Sequence, residues 1–151
     1  MKNNKTLNKG FTLIELLVVI SIIGVLTALL LSNFVGIRGR AKDTKLKGDL
    51  EQLKTAMRLY YNDNQQYPDD ASNTFASCGG AACSAGGEFN DAAGTVYMKA
   101  LPEYSEYVQT DGGDGFYAGV VLSNASDADI IDSAAECGIG GTANTFYVCA
   151  N

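Results

Sequence analysis

From Phe11 to Leu31 the chain reads FTLIELLVVISIIGVLTALLL, 21 residues in which Glu15 is the sole charge. A helix of that length rises about 31 Å at about 1.5 Å per residue, which matches a bilayer's hydrocarbon core. The run therefore predicts a membrane-spanning helix, and by itself no more than an anchor. A secretory signal fits less well. Its apolar stretch is shorter and ends at a small-residue cleavage site, whereas here the small Gly10 precedes the run. The ten residues ahead of it, MKNNKTLNKG, are polar and basic.

Glu15 is what a plain anchor leaves unexplained. A carboxylate near the centre of a membrane helix costs about 2.5–3.5 kcal/mol on insertion scales, and less near an end. A partner arises if the chain is cut between Gly10 and Phe11, which frees an amino group four residues before Glu15. That amine can pair with Glu15 of the same chain or of a neighbour, and between chains the pair would fix the register of a helical array. The alternative is a carboxylate that snorkels to the headgroups.

Beyond the run the helix is expected to continue to Tyr61. Residues 41–61 hold no proline, and Leu46, Leu50, Leu53, Met57 and Tyr60 or Tyr61 fall at helical spacing. Asp43 and Lys47 stand at i,i+4 in the favourable orientation. The basic residues between 38 and 47 read as a solvated face. Asn62-Asp63-Asn64 followed by Tyr67-Pro68 gives the stop. Gly24, Ala28, Ser32 and Gly36 recur every four positions, a ridge along which a second helix can approach.

Residues 63–151 are rich in Gly, Ala, Ser, Asp and Asn. Phe116–Leu122 and Asn144–Cys149 read as strands, with a weaker one near Thr95–Ala100. Strands closing over the stripe of Leu46, Leu50, Leu53 and Met57 predict a small antiparallel α+β head. Cys78, Cys83, Cys137 and Cys149 all lie in this half, an even number that reads as disulfides and an oxidising compartment. Of three possible pairings, the local ones, 78–83 and 137–149, are favoured. A zinc or redox site lacks CxxC and histidine.

The chain carries 11 basic and 17 acidic residues, and without Lys2, Lys5 and Lys9 the count is 8 against 17. An acidic body is poorly suited to nucleic acid, and no direct nucleic-acid binding is expected. The absence of histidine removes the commonest general base, and no nucleophile–base set stands out, so no enzyme and no catalytic residue is expected. No cofactor is expected apart from calcium. Asp111-Gly112-Gly113-Asp114-Gly115 is the one candidate, with Asp111 and Asp114 as oxygen donors, against the plainer reading of a turn. Asp127, Asp129 and Asp132 are weaker candidates.

The segment from Lys9 to Ile20, KGFTLIELLVVI, resembles the leader junction of type IV pilins and type II secretion pseudopilins, and the likeness runs on to Tyr67-Pro68. The resemblance implies a prepilin cut after Gly10 by a prepilin peptidase and methylated on the amino group of Phe11. Glu15 matches the family glutamate that supports methylation and subunit docking. Many members carry a proline, linked to local loosening of the helix, where this chain has Ser32. The resemblance implies a pilin-like α+β fold with a leader (1–10), a membrane or filament-core helix (11–37), its amphipathic continuation (38–62) and a globular head (63–151). It implies a homopolymer that meets the membrane and an inner-membrane assembly platform, held in the cytoplasmic membrane with its head outside the cytoplasm and then in a surface or periplasmic filament. A type II secretion pseudopilin and a minor tip pilin acting in adhesion or DNA uptake are the alternatives. In type II major pseudopilins this part of the head binds calcium.

Overall fold

The computed structural model describes residues 10–71, 74–76, 78, 83–141 and 143–150, the side chains of 31–35 and 71 excepted. The expected leader, apart from Gly10, lies outside the described residues. Among the described residues ten elements follow in chain order: α1 (Leu13–Asn64), β1 (Asp70–Ala71), β2 (Thr74–Phe75), β3 (Phe89–Asn90), β4 (Val96–Met98), β5 (Glu106–Thr110), a 3-10 turn (Asp111–Gly113), β6 (Gly115–Val121), α2 (Ala128–Glu136) and β7 (Thr145–Cys149). The chain divides into two compact units between Arg38 and Gly39.

The first unit is helical from Leu13. Its segment Leu13–Leu30 has a mean hydropathy of 2.8 and is long and apolar enough to cross a membrane. Nothing in the unit covers its side chains: Leu13, Ile14, Leu16 and Ile20 are exposed, and so is the rest of the apolar run as far as Leu30. The two hydroxyls of Leu13–Leu30 are satisfied by the helix itself, Ser21 donating to the Leu17 carbonyl (2.8 Å) and Thr27 to that of Ile23 (2.7 Å). The segment thus presents no unmet hydroxyl to an apolar surrounding. Gly24 and Gly36 lie open, and α1 runs through Ser32, whose side chain is outside the described residues.

The second unit is an α+β head built on the rest of α1. Leu46, Leu50, Leu53, Met57 and Tyr60 are buried, so the periodic stripe is the helix's core face. A three-stranded antiparallel sheet, order β5-β6-β7, supplies the other layer, and β1-β2 and β3-β4 are two short ribbons. β6 and β7 coincide with the two expected strands, and β4 with the weaker one. Every residue of β7 is buried, which a strand with one solvated face cannot be. The second cover is α2, from which Ser133 Oγ accepts the N–H of Tyr147 (3.2 Å). Gly119 on β6 is required by packing. A Cβ there would stand 2.8 Å from Thr145 Cγ2 and 2.9 Å from a Tyr147 ring carbon.

Aromatic rings fill the far end of the core. Phe75 touches Phe89, Tyr104 and Tyr107 with ring centroids 5.1–5.4 Å apart, and Tyr67 meets Phe116 at 4.6 Å. Tyr107 is fully buried with its hydroxyl donating to the Pro68 carbonyl (2.7 Å), and burial pushes that phenol far up. Cys78 is bonded to Cys83 and Cys137 to Cys149, the two local pairings. The second bridge ties the end of α2 to the end of β7.

Candidate assembly site

Gly10 and Phe11 lie just ahead of α1, and Phe11 is 88% exposed. Thr12 caps the helix, which begins at Leu13. Its hydroxyl and its N–H both donate to Glu15 Oε2 (2.8 and 2.9 Å), and the Glu15 N–H donates back to Thr12 Oγ1 (3.3 Å). This is a capping box, which satisfies N–H groups that the first helical turn leaves without carbonyl partners. It also places the carboxylate at the positive end of the helix. One oxygen of Glu15 is thereby held, and no hydrogen bond to the other is made by the described residues. The candidate residues Gly10, Phe11 and Glu15 are thus gathered in the first turn and its approach. Thr12 joins them, a residue whose signal is the Thr-x-x-Glu spacing before an apolar run. Chemically, the arrangement offers an exposed Gly10–Phe11 segment and a fixed carboxylate with one oxygen open to a cation.

The head is fastened to α1 by charges that the sequence reading paired differently. Asp43 and Lys47 do not pair at i,i+4. Asp43 is buried and accepts the N–H groups of Ser123 (2.8 Å) and Asn124 (2.9 Å), just after β6. Lys47 reaches Asp127 (2.7 Å) and Asp129 (2.6 Å) at the start of α2. Backbone N–H groups presented in pairs, and two carboxylates at once, outcompete a single exposed i,i+4 contact. Burial raises the pKa of Asp43, but the Ser123 and Asn124 bonds outweigh it and leave the carboxyl below its ordinary range. Burial works against the Lys47 charge, and its bonds to Asp127 and Asp129 more than restore it, raising that pKa. Asp127 is lowered, first by its Lys47 bond, and its carboxylate caps α2 by accepting the Asp129 N–H. Asp127 thus caps α2 and, with Asp129, forms an ion pair to Lys47, while Asp132 is exposed.

Asp111 and Asp114 occupy the turn of the β5–β6 hairpin. Asp114 accepts from the Tyr61 hydroxyl (3.1 Å), and the Gly113 carbonyl accepts the Tyr67 N–H (2.8 Å). Calcium takes six to eight oxygens. Among the described residues no group of three or more acidic, His or Cys side chains is placed to hold a metal, so the turn itself supplies two carboxylates, one of them engaged. A second acidic group lies elsewhere, where burial and bonds to Asp91 and Asp63 push the Tyr97 phenol up to about 12.

Residues 5–31 match the family model of the prokaryotic N-terminal methylation motif. The Type IV wide pilus major component PilA4 of Thermus thermophilus is 34% identical over 112 residues, which cover 66% of this chain and 86% of that protein. The chain belongs to the type IV pilin family. This pilin is also 40% identical over 65 residues to the type IV major pilin protein PilA of Myxococcus xanthus. That match covers 43% of this chain and 30% of its relative. It is also 43% identical over 60 residues to the type II secretion system core protein G of Klebsiella pneumoniae, covering 40% and 43% of the two chains. No solved structure matches.

Proposed function

We propose that the chain is the precursor of a structural subunit of a type IV pilus, cleaved after Gly10, methylated at Phe11 and polymerised through the first half of α1. The observation that carries this is the uncovered apolar helix headed by a capped Glu15. An apolar surface so extended is tolerated only in lipid or against other chains. A fixed carboxylate four residues from a new amino terminus gives those chains a point of register. Prepilin peptidase and an inner-membrane assembly platform are the partners this requires, with the N-terminus in the cytoplasm and the disulfide-bearing head on the oxidising side. Its role is structural, not enzymatic.

A pilus is favoured over a secretion pseudopilus by one observation. The similarity to the Thermus pilin extends over 112 residues, whereas that to the Klebsiella secretion protein spans 60. The test is Glu15→Ala. That variant inserts in the membrane at the wild-type level and yields little or no sheared filament. Wild-type filament yield from Glu15→Ala would remove the proposed role of the carboxylate.

A further inference from the structure

An open polymer needs two different, mutually complementary patches on each subunit, facing different ways. The head carries such a pair. Along α1, Lys42, Lys45, Asp49 and Gln52 project on one side of the buried stripe, and Lys47, Glu51 and Lys54 on the other. The helical period sets the two rows roughly 170° apart. The first row borders a cavity of about 540 Å³ whose apolar wall is Leu46, Met98, Leu101 and Pro102, with Lys42 and Lys45 as its cations and Asp49 and Glu103 as its carboxylates. The second row meets α2, through the Lys47 bonds to Asp127 and Asp129. On the outer side of α2, Ile131 is 74% exposed and the neighbouring Asp132 is exposed. Among the described residues, neither Lys42 nor Asp132 has an ion-pair partner.

We propose that the cavity beside Lys42 takes α2 of a second copy of this chain, with Ile131 against the apolar wall and Asp132 facing Lys42 and Lys45. Lys45 is held by Asp49 of its own chain (3.8 Å), so the charge match is that of the unpaired Lys42 with Asp132; the apolar elements match, and the patches lie on opposite flanks. The contact is therefore head-to-tail and repeats from subunit to subunit instead of closing as a pair. Charges of this kind set register and exclude wrong partners more than they supply affinity. The inference rests on the filament reading above.

The test is zero-length carbodiimide cross-linking of sheared filaments assembled from a mixture of isotopically light and heavy subunits. The reagent takes up the oxygen lost as a carboxylate and an ammonium group condense to an amide. The expected product joins the Lys42 or Lys45 peptide of one label to the Asp132 peptide of the other. Lys42→Glu and Asp132→Lys each lower filament yield by about tenfold, and the chain carrying both recovers it. Equal membrane levels with intact disulfides show that the variants fold. Cross-links confined to one label, a link from Lys42 to another carboxylate or another protein, or no recovery in the double variant would overturn the interface. A wild-type chain that makes no filament refutes the filament reading instead, whereas wild-type filaments without the cross-link refute only the interface.

Discussion

Replacing Asp43 by alanine removes the acceptor for two N–H groups at once, those of Ser123 and Asn124. A buried donor left without a partner costs about 1–3 kcal/mol. Both of these are only partly enclosed, so water relieves some of that cost and the expected sum is about 2–3 kcal/mol. For a head of this size that lowers the melting temperature by roughly 10–15 °C. Asp43→Asn keeps one acceptor oxygen but turns an amide N–H₂ toward a donor, and should fall between. The pH dependence has a definite sign. The folded pKa of Asp43 lies below its unfolded value, so its contribution is complete above the unfolded pKa and is lost as pH falls through the folded one. Wild type should lose stability below about pH 4, and Asp43→Asn should lose less over the same range. Circular dichroism melts of the full chain in detergent at pH 7 and pH 3 check both statements. A loss below about 0.5 kcal/mol in Asp43→Ala, or an acid slope unchanged in Asp43→Asn, would refute the clamp.

Other expectations follow from the same geometry. A bulky residue at Gly10, such as Gly10→Leu, should leave the precursor uncut, seen as an unchanged intact mass in membranes. Gly119→Ala drives a methyl into Thr145 and Tyr147, and chemical denaturation should show a loss of about 1–3 kcal/mol. Replacing Cys137 and Cys149 together by serine opens the longer disulfide loop and should cost about 2–3 kcal/mol. The Cys78–Cys83 pair, closing a shorter loop, should cost less in the same assay.

The sequence shows clearly those elements whose burial is periodic. The apolar run and the Leu46–Leu50–Leu53–Met57 stripe mark α1, and continuous apolar stretches mark β6 and β7, because these are buried along their length. β5 escapes notice because Glu106, Gln109 and Thr110 dilute its one fully buried residue, Tyr107. The ribbons β1-β2 and β3-β4 are two or three residues long, too short for any period. α2 is masked by its acidic residues. The cap Asp127 places on Asp129 and its bond to Lys47, 80 residues away, cannot be read from the sequence. Glu15 stands out by its cost in an apolar run, yet its partner Thr12 is a local motif hidden behind that larger question. The disulfide framework is legible in number and, with local pairing, in connectivity.

The most direct test of the account is the mass of the N-terminal peptide from this chain in sheared surface material, beside that in the membrane fraction. A processed chain beginning at methylated Phe11 and abundant in the sheared material is the predicted result. A chain still carrying the residues ahead of Phe11 in both fractions would contradict it, leaving a membrane-anchored head that does not polymerise by this route.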